Sequence, residues 1–514
     1  MKHLYLYLYM CLSLCIVSCG GDKKTGHRKV LVVENQEQHR NFTPQPNPFI
    51  AADVYGTTQV NSAHTNAFAA PIPTGTFNIE LTPDNQILSG VVNTATIASE
   101  NSNYMWAIST DRFTYVNVSD GNFTQTRTFF NYPEASAFSV EKHKEALQHN
   151  HTSIEAIQKS VFSAYGSNPG QRLNKGTVAV CDKNNDVFIN YGAQVACLAH
   201  NGGFRRTLNV VEFVPTPTDV VGVGITYDGM LVFASQTYVG VVERTFETPP
   251  KMYFFEQNEV CNKAFCIDEN NGIYIATSKQ MRKLVWTGQD LSDKTADGAW
   301  TSSYKTGKSG AASTPSLMGF DNSHDKLVVI VDGENNLAAF WRNELPSPTA
   351  LRIADEQKLS FANDETPISS AGLAIHNNGV FVANNSLYAH TGDAIVDAIA
   401  AAIKPSAQGC ERFEWQDDTK KFKSIFANNS ISTTTMKPAV STTSNIVCVN
   451  GFYPESGWEI TGLDWNSGKI VHRSVFGKNN YGNAAFATLQ YFANGDMLFN
   501  SIAGPCRIRV TGNN

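Results

Sequence analysis

The chain lacks the short motifs that mark the commoner catalytic machineries. No Gly-x-Ser-x-Gly elbow, no His-Glu-x-x-His and no Gly-x-Gly-x-x-Gly opening a helix occurs, so serine-hydrolase, zincin and dinucleotide-binding chemistry find no support. Thr306-Gly307-Lys308-Ser309 has the ending of a phosphate-binding loop, but Ser302 stands where its first glycine is needed. There is no Cys-x-x-Cys and no Cys/His spacing of the zinc-finger kind, and His149 and His151 read as a solvated surface pair in a polar insertion. Charge of one sign is scarce as well. A formal net charge of −6 gives no basic face for nucleic acid, and beyond the first residues no apolar run is long enough to span a membrane.

What is present is a repeated sentence: an apolar strand, an Asp/Asn-Gly type turn, and a second strand rich in β-branched and aromatic residues. It reads most clearly in 222–243 (GVGITYDGMLVFASQTYVGVVE), 265–286, 317–341, 373–384 and 488–510, with weaker copies in 104–129 and 458–475. Asp186, Gly229 and Gly272 are evenly spaced, 43 residues apart. A spacing of about 40–50 residues suits one four-stranded propeller blade, and a single hairpin cannot bury its own face. The expectation is an all-β fold: a β-propeller of about seven blades (six to eight), with short helical insertions, formed by residues 49–514 as one domain. An eighth blade is counted if the region around 54–88 pairs with the C-terminal strands. Two stretches depart from the blades: 139–165, with apolar residues at helical spacing, and 393–404, a short Ala/Ile helix ended by Pro405.

The N-terminus carries a different signal. Lys2 and His3 precede an apolar run from Leu4 to Val17, about 14 residues, which suits a signal peptide and is too short to span a bilayer. The ending Ile16-Val17-Ser18-Cys19 resembles a bacterial lipobox, with Ile16 where the family has Leu. The resemblance implies acylation of Cys19, and Gly20 in place of Asp implies sorting to the outer membrane of a Gram-negative cell. Residues 1–18 are thus expected to be removed, and 19–48, polar and ending in Pro44, Pro46 and Pro48, to be a flexible tether.

Seven cysteines follow Cys19. In an oxidising compartment Cys181 with Cys197, and Cys261 with Cys266, are the disulfide candidates; burial as small apolar residues is the alternative for each.

In a propeller the starts of the innermost strands converge on the channel mouth, where ligands and ions sit. Aligning the repeats on their turns puts Asn262, Thr314, Ser370, Thr461 and Asn483 at comparable positions, with Asp219 and Glu459 nearby. Asp332 and Asn384, each just past an inner hairpin, are expected to reach the same space. The ligand-binding candidates are therefore Asn262, Thr314, Ser370, Asn483 and Asp332. Asn262 and Asp332 are the candidates for a Ca²⁺ site, since a hard cation prefers carboxylate and amide oxygens.

The strand, Asp-Gly or Asn-Gly, strand blades resemble those of the gluconolactonase and strictosidine-synthase-like group, whose Ca²⁺ site draws on Glu, Asn and Asp of several blades. Asn262 in NKAFCIDENNGIYIAT is the position that matches. Leu463-Asp464-Trp465-Asn466-Ser467-Gly468-Lys469 and Tyr55-Gly56-Thr57-Thr58 resemble blade elements of quinoprotein (PQQ) dehydrogenases. Only one such Asp-x-x-x-Gly-Lys copy is present, His472 replaces the expected Trp, and the vicinal Cys pair is missing, which counts against PQQ. The leading expectation is a membrane-anchored propeller lipoprotein that binds a small molecule or an envelope protein at the channel mouth, touching the membrane through its lipid alone. A Ca²⁺-dependent lactonase or sugar hydrolase is the alternative, and a PQQ-type dehydrogenase ranks third.

Overall fold

The computed structural model describes residues 43–51, 56–81, 93–98, 104–109, 112–117, 124–131, 139–200, 205–321, 324–362, 368–404, 407–492 and 495–509. Cys19 lies outside them. The fold is an all-β propeller. Six antiparallel sheets of four successive strands form regular blades: blade 1 (93–131), blade 2 (175–208), blade 3 (220–254), blade 4 (266–303, with an extra short strand Leu291–Ser292), blade 5 (316–358) and blade 6 (374–432). A seventh sheet (439–477) gains the strands Ala67–Phe68 and Gly75–Asn78 on its two edges, both parallel to their neighbours. An eighth sheet (490–508) has three strands. The expected seven or so blades thus resolve into six regular blades and two irregular sheets. The N-terminal region does pair with C-terminal strands, but as additions to the seventh sheet.

Each sheet is sandwiched between two others, so its middle strands are apolar on both faces. Leu231 and Phe233 pack toward blade 2, while Val232 and Ala234, one residue out of phase, pack toward blade 4. In blade 5, Leu327, Val329 and Val331 face blade 6, and Val328 and Ile330 face blade 4. These runs therefore read as continuous hydrophobic stretches. Leu498 of the eighth sheet packs on Met105, Ala107 and Val116 of blade 1, which closes the ring.

The two helical insertions meet on the seventh and eighth sheets. Helices Val140–Leu147, Ile154–Tyr165 and Ala394–Ala400 share one apolar cluster with Trp458, Ile460 and Phe499. Asp393 caps the last of them, accepting from Ile395 N and Val396 N, and ties it to the other insertion by accepting from Gly170 N at 2.7 Å.

The seven cysteines after Cys19 are free, buried thiols, which corrects the disulfide expectation. Cys181 and Cys197 lie on the first and third strands of blade 2, with Val187 and Phe188 of the intervening strand as their neighbours, and they point into different clusters. Two strand spacings, about 9.6 Å, exceed what a disulfide can bridge. Cys261 and Cys266 also belong to different clusters, and Cys261 Sγ donates to Lys263 O.

The N-terminal residues hold the main surprise. Residues 43–48, assigned to the tether by composition, are docked: Asn47 Nδ2 donates to Ile225 O at 2.8 Å and Tyr227 Oη donates to Gln45 O. Residues 56–68 then run across the axis of the ring. Ile267 N of blade 4, Leu317 N of blade 5, Ile375 N of blade 6 and Val440 N of the seventh sheet donate in turn to Ser62 O, Ala63 O, Thr65 O and Asn66 O at 2.8–2.9 Å. The inner strand edges of blades 4, 5 and 6 and of the seventh sheet, which would otherwise face the channel, thus gain hydrogen-bond partners from this plug. Its tight path uses left-handed backbone at Val60, His64 and Asn66; at a β-branched Val that conformation is strained and requires the surrounding contacts to hold it.

Candidate functional site

A cavity of about 430 Å³ lies where the starts of the inner strands meet the plug. Blade 2 contributes Thr177 and Asn190, blade 3 Asp219 and Gln236, and the approach to blade 4 Asn262 and Lys263. Thr314 precedes the inner strand of blade 5, Ala371 that of blade 6 and Lys437 that of the seventh sheet, while Thr58 and Gln59 come from the plug. Ring closure alone can bring these positions together.

Of the ligand-binding candidates, Asn262 and Thr314 line this cavity, joined by Asp219. Ser370, beside Ala371, is buried and its hydroxyl donates to Gly372 O. Asn483 is fully buried away from the cavity: Nδ2 donates to Ala398 O and Asn480 Oδ1, and Oδ1 accepts from Ala485 N. It pins the helical insertion to the eighth sheet. Thr461 and Glu459 sit on the third strand of the seventh sheet, where the Glu459 carboxylate accepts from Thr461 and Arg473. Asn384 is held by Gln408 O and Ser386 N.

Asp332 is the clearest departure from expectation. One carboxylate oxygen accepts Glu334 N and Asn336 N at 2.8 and 2.9 Å, and the other accepts Asn336 Nδ2. Asp182 and Asp268 do the same in blades 2 and 4, receiving Asn184 N with Asp186 N, and Asn270 N with Gly272 N. Asn185, Asn271 and Asn335 take left-handed backbone in the three turns. Asp-x-x-Asn is thus the recurrent turn of this propeller, formed because the aspartate mimics a backbone acceptor two residues ahead. Asp332 has no solvent contact, and burial pushes its carboxyl above the usual range despite those hydrogen bonds.

Asn262 and Asp332 therefore do not share a site, and the residues around the cavity do not suit Ca²⁺. Asp219 is the one carboxylate among its described lining residues, beside two lysines. Among the described residues no group of three or more His, Cys, Asp or Glu side chains converges as metal ligands do. The element resembling quinoproteins is a hairpin turn, in which Asp464 Oδ1 accepts from Ser467 N and Oγ. Of the matching N-terminal stretch, Tyr55 lies outside the described residues, and Thr57 and Thr58 belong to the plug.

Sequence reasoning missed Lys263, Lys437, Gln236 and the whole plug. Burial holds both lysines below the ordinary lysine range, Lys437 down to about 8. His64 in the plug is pushed down to about 3 by burial and by nearby Lys437, so it stays neutral. Lys263 was within reach of the sequence, being adjacent to Asn262 before an inner strand. Lys437 was not, because it follows an irregular stretch with no repeat to align.

No family model matches the chain. It is similar to an uncharacterized protein of Archaeoglobus fulgidus, 29% identical over 287 residues, which cover 49% of this chain and 53% of that protein. The chain thus spans about half the length of that relative. Among solved structures it resembles a europium-containing methanol dehydrogenase (TM-score 0.49, 7% identity, 87% of this chain and 88% of that one). It also resembles a streptogramin B lyase (TM-score 0.38, 9% identity, 85% and 96%) and a virginiamycin B lyase from Staphylococcus aureus (TM-score 0.39, 11% identity, 72% and 93%). At TM-scores below 0.5 these similarities carry no argument about activity; the propeller rests on the sheets described above.

Proposed function

We propose that this protein is a lipid-anchored propeller of the outer membrane, held through acylated Cys19, that binds a small molecule in its axial cavity. The observation supporting the reading is the convergence of blades 2 to 6 and the seventh sheet on one cavity of about 430 Å³, within the range of small-molecule pockets. Binding is favoured over catalysis because no described pair of side chains there has the relation of a nucleophile to a base: His64 is buried and neutral, and the hydroxyls of Thr314 and Thr177 each accept from an amide. The anchor is supported by the lipobox resemblance.

Thermal-shift titration of the full chain against a panel of small metabolites tests the binding reading. At least one compound should raise the melting temperature of the native protein and fail to do so for Thr314→Trp, which fills the cavity. If every compound that binds does so equally in both proteins, the cavity is not the site. For the anchor, Cys19→Ser should abolish incorporation of labelled fatty acid and release the protein from membranes; unchanged labelling overturns it.

A further inference from the structure

The half-buried lysines of the cavity are unlike the buried cations of this protein. Arg282 is paired with Glu259 at 3.0 Å, Lys283 lies 3.8 Å from Asp268, Arg412 binds Glu414 and Arg342 donates to Gly319 O. The ammonium groups of Lys263 and Lys437, two residues only partly exposed, have no ion pair or hydrogen bond to any described residue. Withdrawing an ammonium from water without a partner is costly, and a fold that so consistently pairs its buried charges does not gain stability from two exceptions.

The neutral groups around them are turned to donate. Asn262 Oδ1 is taken up by Gln236 Nε2, which leaves the Asn262 amide N–H groups for the cavity. Thr314 Oγ accepts from Gln59 Nε2 and Thr177 Oγ from Asn190 Nδ2, so each keeps its hydroxyl proton to give. The acceptors of these amides are consumed within the protein: Gln59 Oε1 receives Asn66 Nδ2, and Asn190 Oδ1 receives Val178 N. Asp219, the single carboxylate, is exposed and already accepts from Asn174 Nδ2. His64, which senses the charge of Lys437, adds no negative charge.

Resting on the reading that this cavity binds a small molecule, we propose that its ligand is a small oxyanion, a carboxylate or phosphate-bearing metabolite, seated between Lys263 and Lys437 with Asn262 and Thr314 as further donors. Charge-assisted hydrogen bonds to the ligand then supply the partners that the protein withholds. Binding also draws Lys437 back toward its protonated form, so affinity should decline as pH rises through about 8.

The test is calorimetry on the full chain with citrate, glucose 6-phosphate and glucose, the first two distinguishing a carboxylate from a phosphate ligand and the third serving as a neutral control. At least one anion should bind, with affinity reduced tenfold or more in both Lys437→Met and Lys263→Met and largely retained in Lys437→Arg. Absence of binding by both anions, or equal anion affinity in the Lys263→Met/Lys437→Met double variant, overturns the proposal. Glucose binding that Thr314→Trp abolishes, with both anions silent, overturns the oxyanion alone and leaves the cavity as a small-molecule site. Anion binding that survives both Thr314→Trp and the lysine variants overturns both readings.

Discussion

Blade 4 and the axial cavity handle buried charge in opposite ways. Arg282 of blade 4 and Glu259, in the segment leading into that blade, are almost wholly buried together, with Thr277 and Tyr253 as further hydrogen-bond partners. Burial alone would raise the Glu259 carboxyl, but Thr277 and Arg282 more than offset it and hold it below its ordinary value. In the axial cavity, Lys437 has only burial acting on it. The same kinds of residue thus serve two ends: a charge satisfied from within stiffens a blade, whereas one left unsatisfied in a cavity is poised for something from outside.

The largest effect should come from breaking the satisfied pair. Glu259→Gln strands a buried guanidinium and should lower unfolding free energy by about 3–5 kcal/mol in urea melts, without altering binding at the cavity. A loss below 1 kcal/mol would remove the contrast.

Acid should act next, through the histidines that hold the N-terminal residues. His64 lies in the plug, and His472 Nδ1 donates to Pro73 O at 2.7 Å, burial holding its pKa down to about 4. Both fall below their unfolded value, so the unfolded chain binds more protons below about pH 6.5, and stability must drop as pH falls from there toward 4. Hydrogen exchange should show residues 56–78 opening before the blades over that range; Phe substituted at both histidines should flatten the profile.

Asp332→Ala removes a turn acceptor and should cost about 1–3 kcal/mol while leaving cavity binding intact. A selective loss of binding would restore Asp332 to the site. Lys437→Met carries the opposite sign: with the desolvated ammonium gone, stability at pH 7 should rise by on the order of 1–2 kcal/mol. In the native protein, stability should increase with pH between about 8 and 10.5, where the unfolded chain keeps a proton that the folded one has lost, and this rise should vanish in the variant. Smallest of all is the thiol count. Unfolding without reductant should expose seven alkylatable cysteines beyond Cys19, and reductant should leave stability unchanged.

Much of the scaffold was legible because its cause is local. The Asp/Asn-Gly turns, their near-even spacing and the doubly apolar strands such as Leu231–Ser235 each follow from chain geometry within a few residues. Asn262 and Thr314 were found because each lies a few residues before an inner strand. Asp332 misled because Asp-x-x-Asn encodes a turn as readily as a ligand, and comparison with Asp182 and Asp268 would have exposed the motif. The plug was invisible because 56–68 has neither helical nor strand periodicity; its small and polar residues make sense only beside strand edges that come from elsewhere in the chain.

By itself, then, the sequence determined that hairpins form, how far apart they recur, and that they must pack on both faces, since these depend on neighbours in the chain. Tertiary structure alone decided what the centre contains. Gln59, Lys263, Thr314 and Lys437 are separated by up to several hundred residues, and only closure of the ring, sealed by Leu498 against blade 1, sets them around one cavity. Whether a lysine is a solvated surface group or an unpaired cation awaiting an anion is a property of that enclosure, because the energy of a charge depends on which dipoles and partners surround it in space.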